Sequence, residues 1–514
     1  MSSRILRTAC AAVVASTLAA LAAPAAVAGT AAPDPLDWGP CPTGSFADPA
    51  AECADIEVPE DYANPDAGSI TLTMSRIAAT GERKGVIAGN PGGPGGDALA
   101  MFAGSDGADA EGRIVLPADV RESYDLLAVE PRGLAWGTPL DCSTPAGPAA
   151  PAGDLLAGCE SNNPGYAATI TTDNTARDLD EARQALGEET LNLYGVSYGG
   201  PLMATYATLF PGHTGRVLLD SSASPDQRWF GLGQARKQAR VDGLDAMFSW
   251  LAERDDEYHL GTTPLQVYQR WAEVVAGPYG VQLPTTPPAS TDADAPLPGE
   301  LATRVVDAVV YAQWRAGTLS DTTRMLLGDE SALVGVTAGQ SGLMEGLYSE
   351  KLWPVIGEQL SNPGAEQAEQ PQQPQLSEEE AAALELMQTQ MAYVDRAIIC
   401  NENTSAPDPS LVVPTLVTQY TGGDLIRYNE DLIGSGLYCD GWSATTVPTD
   451  PSGAELEHAP LNIGYSHDTA VTAEGATDMH RAMGGDLLTL DGYSHGVLLE
   501  DPQAFEDEIS AYFA

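Results

Sequence analysis

One stretch constrains the fold more than any other. It is Leu191-Asn192-Leu193-Tyr194-Gly195-Val196-Ser197-Tyr198-Gly199-Gly200, an apolar run that ends in Gly-x-Ser-x-Gly and continues at once into a helix-like segment, 201–210. A strand that enters a sharp turn and leaves it as a helix holds the turn residue out in the open, and glycines on both sides remove the side chains that would crowd it. A serine held this way can meet a base and a substrate carbonyl together. Ser197 is therefore the candidate nucleophile. A second match, Gly492-Tyr493-Ser494-His495-Gly496, has too little chain after it for an acid and then a histidine to follow, so Ser494 is set aside and its neighbour His495 is kept.

Segments 70–77, 85–89 and 124–129 have the apolar character of strands, and the last two end in loops with distinctive composition. The first loop is Asn90-Pro91-Gly92-Gly93-Pro94-Gly95-Gly96, whose backbone N–H groups are free to approach a ligand as an oxyanion hole requires. The second is Glu130-Pro131-Arg132-Gly133, where Arg132 is expected to brace loops. Segment 175–186 has helical spacing at Ala176, Leu179, Ala182 and Leu186 and stops at Gly187. Beyond the 201–210 helix comes a buried-looking strand, 216–219, ending at Asp220. Such alternation indicates a doubly wound, mostly parallel sheet.

From 224 to 457 the pattern turns helical, at 232–254, 264–275, 301–315 and 378–396, with a proline-rich connection at 283–298. The Gln-, Glu- and Pro-rich stretch 362–375 has little to bury and is expected to be mobile. Ser377-Glu378-Glu379-Glu380 then has the form of a capping box. Strand character resumes at 460–464 before His467 and Asp468, and after a helix at 473–483 it returns at 487–490 before His495. The order serine, acid, histidine, each after a strand, is that of an α/β-hydrolase. The expected organisation is a signal peptide (1–28), a core in two parts (29–223 and 458–514) and a helical cap between them (224–457).

In this reading His495 is the base and Asp468 orients it, with Asp220 the alternative acid. The N–H groups of Tyr198 and Gly93 form the oxyanion hole. His213, His259, His458, His467 and His480 are assigned to surface or packing positions. The chemistry calls for no cofactor and no metal, and no Cys-x-x-Cys or His-rich spacing suggests zinc.

Arg4 and Arg7, the apolar run 11–23 and Ala26-Val27-Ala28 have the form of an export signal, too short in its apolar part to span a bilayer. The chain is expected to be secreted without a membrane anchor. Cys41, Cys53, Cys142, Cys159, Cys400 and Cys439 then remain, an even number that suits disulfides in an exported protein. Neighbours in sequence make the preferred pairs, among fifteen possible pairings. Of 24 basic residues two belong to the signal, so 22 face 72 acidic ones, a formal charge of −50. Such a field excludes nucleic acid as a partner, favours solubility and suits cationic substrates.

The sequences at 90–96, Pro-Arg-Gly at 131–133, Gly-Val-Ser-Tyr-Gly-Gly at 195–200, and Asp468 with Glu474-Gly475-Ala476 resemble the secreted tripeptidyl aminopeptidases of actinomycetes, relatives of the prolyl aminopeptidases. The resemblance implies an exopeptidase, expected as a monomer, that takes peptide substrates with a free amino terminus and releases short peptides, typically tripeptides. It also implies acidic cap residues that hold the substrate amine, for which Asp395 and Glu402 are the candidates. The chain departs from the family pattern at Glu130, where aspartate is usual, at Trp136 and at His467.

Overall fold

The computed structural model describes residues 36–107, 110, 112–363 and 376–514. The signal segment 1–28 and nearly all of the stretch 362–375 lie outside the described residues. Among the described residues nine strands form one sheet in the order β1-β2-β3-β5-β4-β6-β7-β8-β9. They are β1 (Gly39–Pro40), β2 (Glu52–Pro59), β3 (Ser69–Ile77), β4 (Gly85–Asn90), β5 (Tyr124–Val129), β6 (Leu191–Val196), β7 (Thr214–Asp220), β8 (Leu461–Tyr465) and β9 (Asp486–Leu490). The six from β5 to β9 across the sheet are parallel, and β1 to β3 run antiparallel at one edge.

The central strands read as continuous apolar runs because helices cover both faces. On β6, Leu191 and Leu193 join Ala176 and Leu179 of the helix Thr172–Leu186 and Leu202 and Met203 of the helix Gly199–Leu209. Tyr194 and Val196 point the other way, into a second cluster with Ile463, Ile509 and Phe513. β2 escapes the sequence reading because its exposed face is acidic: Glu52, Asp55 and Glu57 alternate with buried Cys53, Ala54, Ile56 and Val58.

Between β7 and β8 the described elements are all helices. The capping box forms at the start of the helix Glu378–Asn401, with Ser377 accepting from the Glu380 N–H and the Glu380 carboxylate accepting from the Ser377 N–H. This region has its own apolar cluster around Met247, Phe248, Trp271, Leu343 and Trp353. The helix Glu330–Tyr348, absent from the sequence reading, contributes to it. Among the described residues the disulfides are Cys41–Cys53, Cys142–Cys159 and Cys400–Cys439, the neighbouring pairs. Among the described residues no helix is long and apolar enough to cross a membrane.

Candidate active site

Parallel register brings the carboxyl ends of the strands to one edge. Asn90 pairs with Gly195, Val196 with Asp220, Asp220 with Ile463, and Tyr465 with Leu490. The loops that leave β4, β6, β8 and β9 therefore meet there, which is where open α/β sheets place ligands.

Ser197 stands between β6 and the helix Gly199–Leu209 with φ +61°. Such a conformation costs a non-glycine residue ~1–3 kcal/mol and persists only when its surroundings enforce it. Here they do: Ser197 N donates to the Asp220 carbonyl at 3.0 Å, and the Ser197 carbonyl accepts from Ala223 N at 3.1 Å. The turn closes because its neighbours lack side chains. A Cβ on Gly195 would stand 2.2 Å from the Gly199 carbonyl oxygen, and one on Gly199 would stand 2.3 Å from that of Asn90.

His495 Nδ1 and Asp468 Oδ2 are 2.8 Å apart, and both residues are buried. The other Asp468 oxygen accepts from Ala470 N at 2.7 Å and Val471 N at 3.0 Å. An ionised carboxylate can only accept, so the imidazole proton is assigned to Nδ1 and Nε2 keeps a lone pair. Burial works against the imidazolium, yet the charge of Asp468 and its hydrogen bond outweigh that and hold the His495 pKa above its ordinary value. Among the described residues no hydrogen bond joins the Ser197 hydroxyl to His495. The two loops do touch, since a Cβ on Gly496 would lie 3.5 Å from Val196 Cγ2. Catalytic hydrogen bonds are often long before substrate draws them in.

Asp220 has a different set of partners. Its carboxylate accepts from Val497 N at 2.7 Å, Leu498 N at 3.0 Å and the Tyr194 hydroxyl at 2.9 Å. It pins the segment that follows His495 while Asp468 holds the ring. Ser494 Oγ accepts from Glu350 N at 3.1 Å, a packing role. His213 is bonded to Asp180, and His467 stacks on Tyr493.

The glycine loop lies against the serine. Gly92, Gly93 and Gly95 have φ of +92°, +112° and +90°, and a Cβ on Gly92 would be 2.8 Å from Ser197 Cβ. Gly93 and Tyr198 share with Ser197 a cavity of about 90 Å³, further lined by Trp229, Arg236, Tyr348 and Asp395. The helix Glu378–Asn401 presses on this loop, since a Cβ on Gly95 would be 2.7 Å from the Met391 carbonyl oxygen. Arg132 is wholly buried and braces loops as expected: it binds Asp178 through Nε at 2.7 Å and Nη2 at 2.6 Å, and donates to the Glu60 carbonyl at 2.8 Å. Glu130, the departure from aspartate, accepts from Ala98 N at 2.9 Å beneath the glycine loop. Burial, and then the neighbouring Asp97 charge, push its carboxyl well above the usual range.

The two acidic cap candidates part company. Asp395 lines the cavity, where it accepts from the Tyr438 hydroxyl, and burial raises its pKa. Glu402 does not line it. Glu402 is fully buried, accepts from the Thr172 N–H and hydroxyl, and through Thr172 reaches the Tyr198 hydroxyl. Burial, partly offset by the nearby Arg228 charge, pushes its pKa up to about 7. A carboxylate enclosed behind Tyr198 in this way cannot receive an amine in the cavity, and position in the sequence does not reveal the enclosure. Arg236 and Tyr348 were missed because nothing in their local pattern separates them from packing residues.

Residues 90–272 match the family model described as the alpha/beta hydrolase fold, and residues 426–514 match the one described as TAP-like protein. The chain has the α/β-hydrolase fold. The chain is 32% identical to the tripeptidyl aminopeptidase of Streptomyces lividans over 59% of its own length and 58% of that protein's. It is 30% identical to the serine protease Hip1 of Mycobacterium tuberculosis strain H37Rv over 37% of its length and 40% of that relative's. It is also 24% identical to carboxylesterase B of the same strain over 90% of its length and 84% of that protein's. The matched span is thus less than two thirds of the first relative's length.

Proposed function

We propose that the chain is a serine exopeptidase that releases short peptides, tripeptides in the first instance, from substrates with a free amino terminus. The observation that carries this reading is the meeting, at one sheet edge, of the enforced Ser197 turn, the glycine loop and the His495–Asp468 pair. His495 Nε2 takes the Ser197 proton as the hydroxyl oxygen adds to the scissile carbonyl, while Asp468 keeps the other proton on Nδ1 and stabilises the imidazolium. The N–H groups of Tyr198 and Gly93 donate to the developing oxyanion. Collapse expels the amine with the proton from His495, and water repeats the sequence on the acyl-enzyme. No step calls for a metal or an organic cofactor.

Asp395 is the group proposed to receive the substrate ammonium. Glu402 instead sets the position of Tyr198 through Thr172. A cavity of about 90 Å³ is small beside the ~300–1,000 Å³ of ordinary ligand pockets, so this reading requires the cap helices to part when a peptide binds. The three disulfides fit a protein exported to an oxidising compartment.

A carboxylesterase is the second reading, favoured by the relative of that name that aligns over most of the chain. Release of chromophore from a tripeptide anilide, free or N-acetylated, separates the two. Cleavage of the free form alone, abolished by Ser197→Ala, is the expected result. Equal cleavage of both forms, or turnover of simple esters only, would leave the esterase.

A further inference from the structure

Arg236, on the helix Phe230–Ala252, opens on the catalytic cavity, and its charge is only half compensated. Its Nε donates to Glu430 Oε2 at 2.7 Å, but the other Glu430 oxygen lies 2.7 Å from Arg240 Nη1. One carboxylate thus serves two guanidinium groups, and the cluster keeps one positive charge. Glu430 and Arg240 are shut away, at 1% and 6% side-chain exposure, whereas Arg236 keeps 18%. The remaining Arg236 contact is a long one, Nη1 to the Ala470 carbonyl at 3.4 Å, and no hydrogen bond among the described residues engages Nη2.

Asp395 lines the same cavity and feels the Arg236 charge, yet no ion pair joins them among the described residues. Two opposite charges thus face a space they do not close. In a chain with 72 acidic and 24 basic residues, a retained positive charge beside the nucleophile runs against the overall field. A guanidinium with a free fork edge, held by a buried carboxylate, suits a planar carboxylate partner.

We propose that Arg236 and Asp395 form a two-charge recognition site in which Arg236 takes a carboxylate of the substrate while Asp395 holds its ammonium. This rests on the exopeptidase reading and narrows its substrate class. Arg236 and Asp395 line one cavity beside Ser197, so the carboxylate belongs either to an acidic side chain near the amino terminus or to the C-terminus of a very short peptide.

The test compares kcat/KM for carboxylate and neutral partners. One arm uses tripeptide anilides with a free amine and Glu or Gln at each acyl-side position, which have no C-terminal carboxylate. The other uses tetrapeptides with a free or amidated C-terminus. The wild type should favour the carboxylate member of one arm by about tenfold or more, a preference that Arg236→Gln reduces to about one. Arg236→Lys, which keeps the charge and loses the fork, should retain only part of it. A wild-type ratio near one in both arms, or a ratio that persists in Arg236→Gln, overturns the proposal. Should Arg236→Gln fail to fold, judged by circular dichroism, an undiminished ratio in Arg236→Lys overturns it equally. If no free-amine peptide is cleaved at all, the exopeptidase reading fails by itself. The Arg236 claim is then decided on p-nitrophenyl butyrate against the p-nitrophenyl monoester of glutaric acid, with the same variants and the same expected loss of preference.

Discussion

Replacing Asp468 by Asn separates orientation of the histidine from everything else in the site. Asparagine has the shape of aspartate, and its carbonyl can keep the bonds from Ala470 N and Val471 N that Oδ1 now accepts at 2.7 and 3.0 Å. The amide NH2 then faces His495 Nδ1 at the position of the 2.8 Å contact. A donor there forces Nδ1 to accept, so the ring proton moves to Nε2 and the base has no lone pair to offer Ser197. A wrong tautomer of this kind costs about 10⁴ in kcat, or about 5.4 kcal/mol at 1.36 kcal/mol per decade.

The pH profile adds a second, independent readout. In the proposed mechanism His495 must be neutral to act as base, and its pKa is raised, chiefly by Asp468 working against burial. Wild-type kcat/KM should therefore rise with pH through a limb above the ordinary imidazole value of ~6.5. Without the Asp468 charge, residual activity should show that limb at lower pH. The assay is kcat/KM on a tripeptide anilide across pH, with urea unfolding to establish that the variant is intact. An Asp468→Asn protein that keeps a tenth of its activity with an unmoved limb would refute the assignment of the acid.

Asp220→Ala should act on stability instead: it strands the buried N–H groups of Val497 and Leu498 and the Tyr194 hydroxyl, at ~1–3 kcal/mol each, and should lower the urea midpoint far more than Asp468→Asn does. Removing the Cys400–Cys439 bridge with a double serine variant opens a loop with a sequence separation of 39, and should cost about 4 kcal/mol by chain entropy, measured by urea unfolding of the oxidised proteins.

How much of this was legible depended on whether the deciding interaction was local. The elbow was, because Gly195, Ser197 and Gly199 constrain one another through their own backbone. So was the Ser377 capping box, which closes within four residues. The helix Glu330–Tyr348 was not: Gly335, Gly339, Gly342 and Gly346 break the helical pattern in sequence, and their purpose appears only against distant neighbours. A Cβ on Gly346 would lie 2.3 Å from Met247 Sδ, and one on Gly335 would lie 2.5 Å from Tyr279 Cβ. The antiparallel strand β2 was hidden for a related reason, since its alternating acids look like loop until β3 pairs with it.

The sequence by itself determined the parallel core, the serine turn and the order in which serine, acid and histidine follow their strands, because strand periodicity and glycine placement act over a few residues. Tertiary structure decided which acid serves which partner. Asp220 and Asp468 both end up at the same sheet edge, and only packing directs one to the backbone of Val497 and Leu498 and the other to His495. It likewise enclosed Glu402 behind Tyr198 while leaving Asp395 and Arg236 on the cavity wall. A carboxylate's role depends on what desolvates it and what donates to it, and for Asp220 and Glu402 the donors come from more than two hundred residues away in the chain.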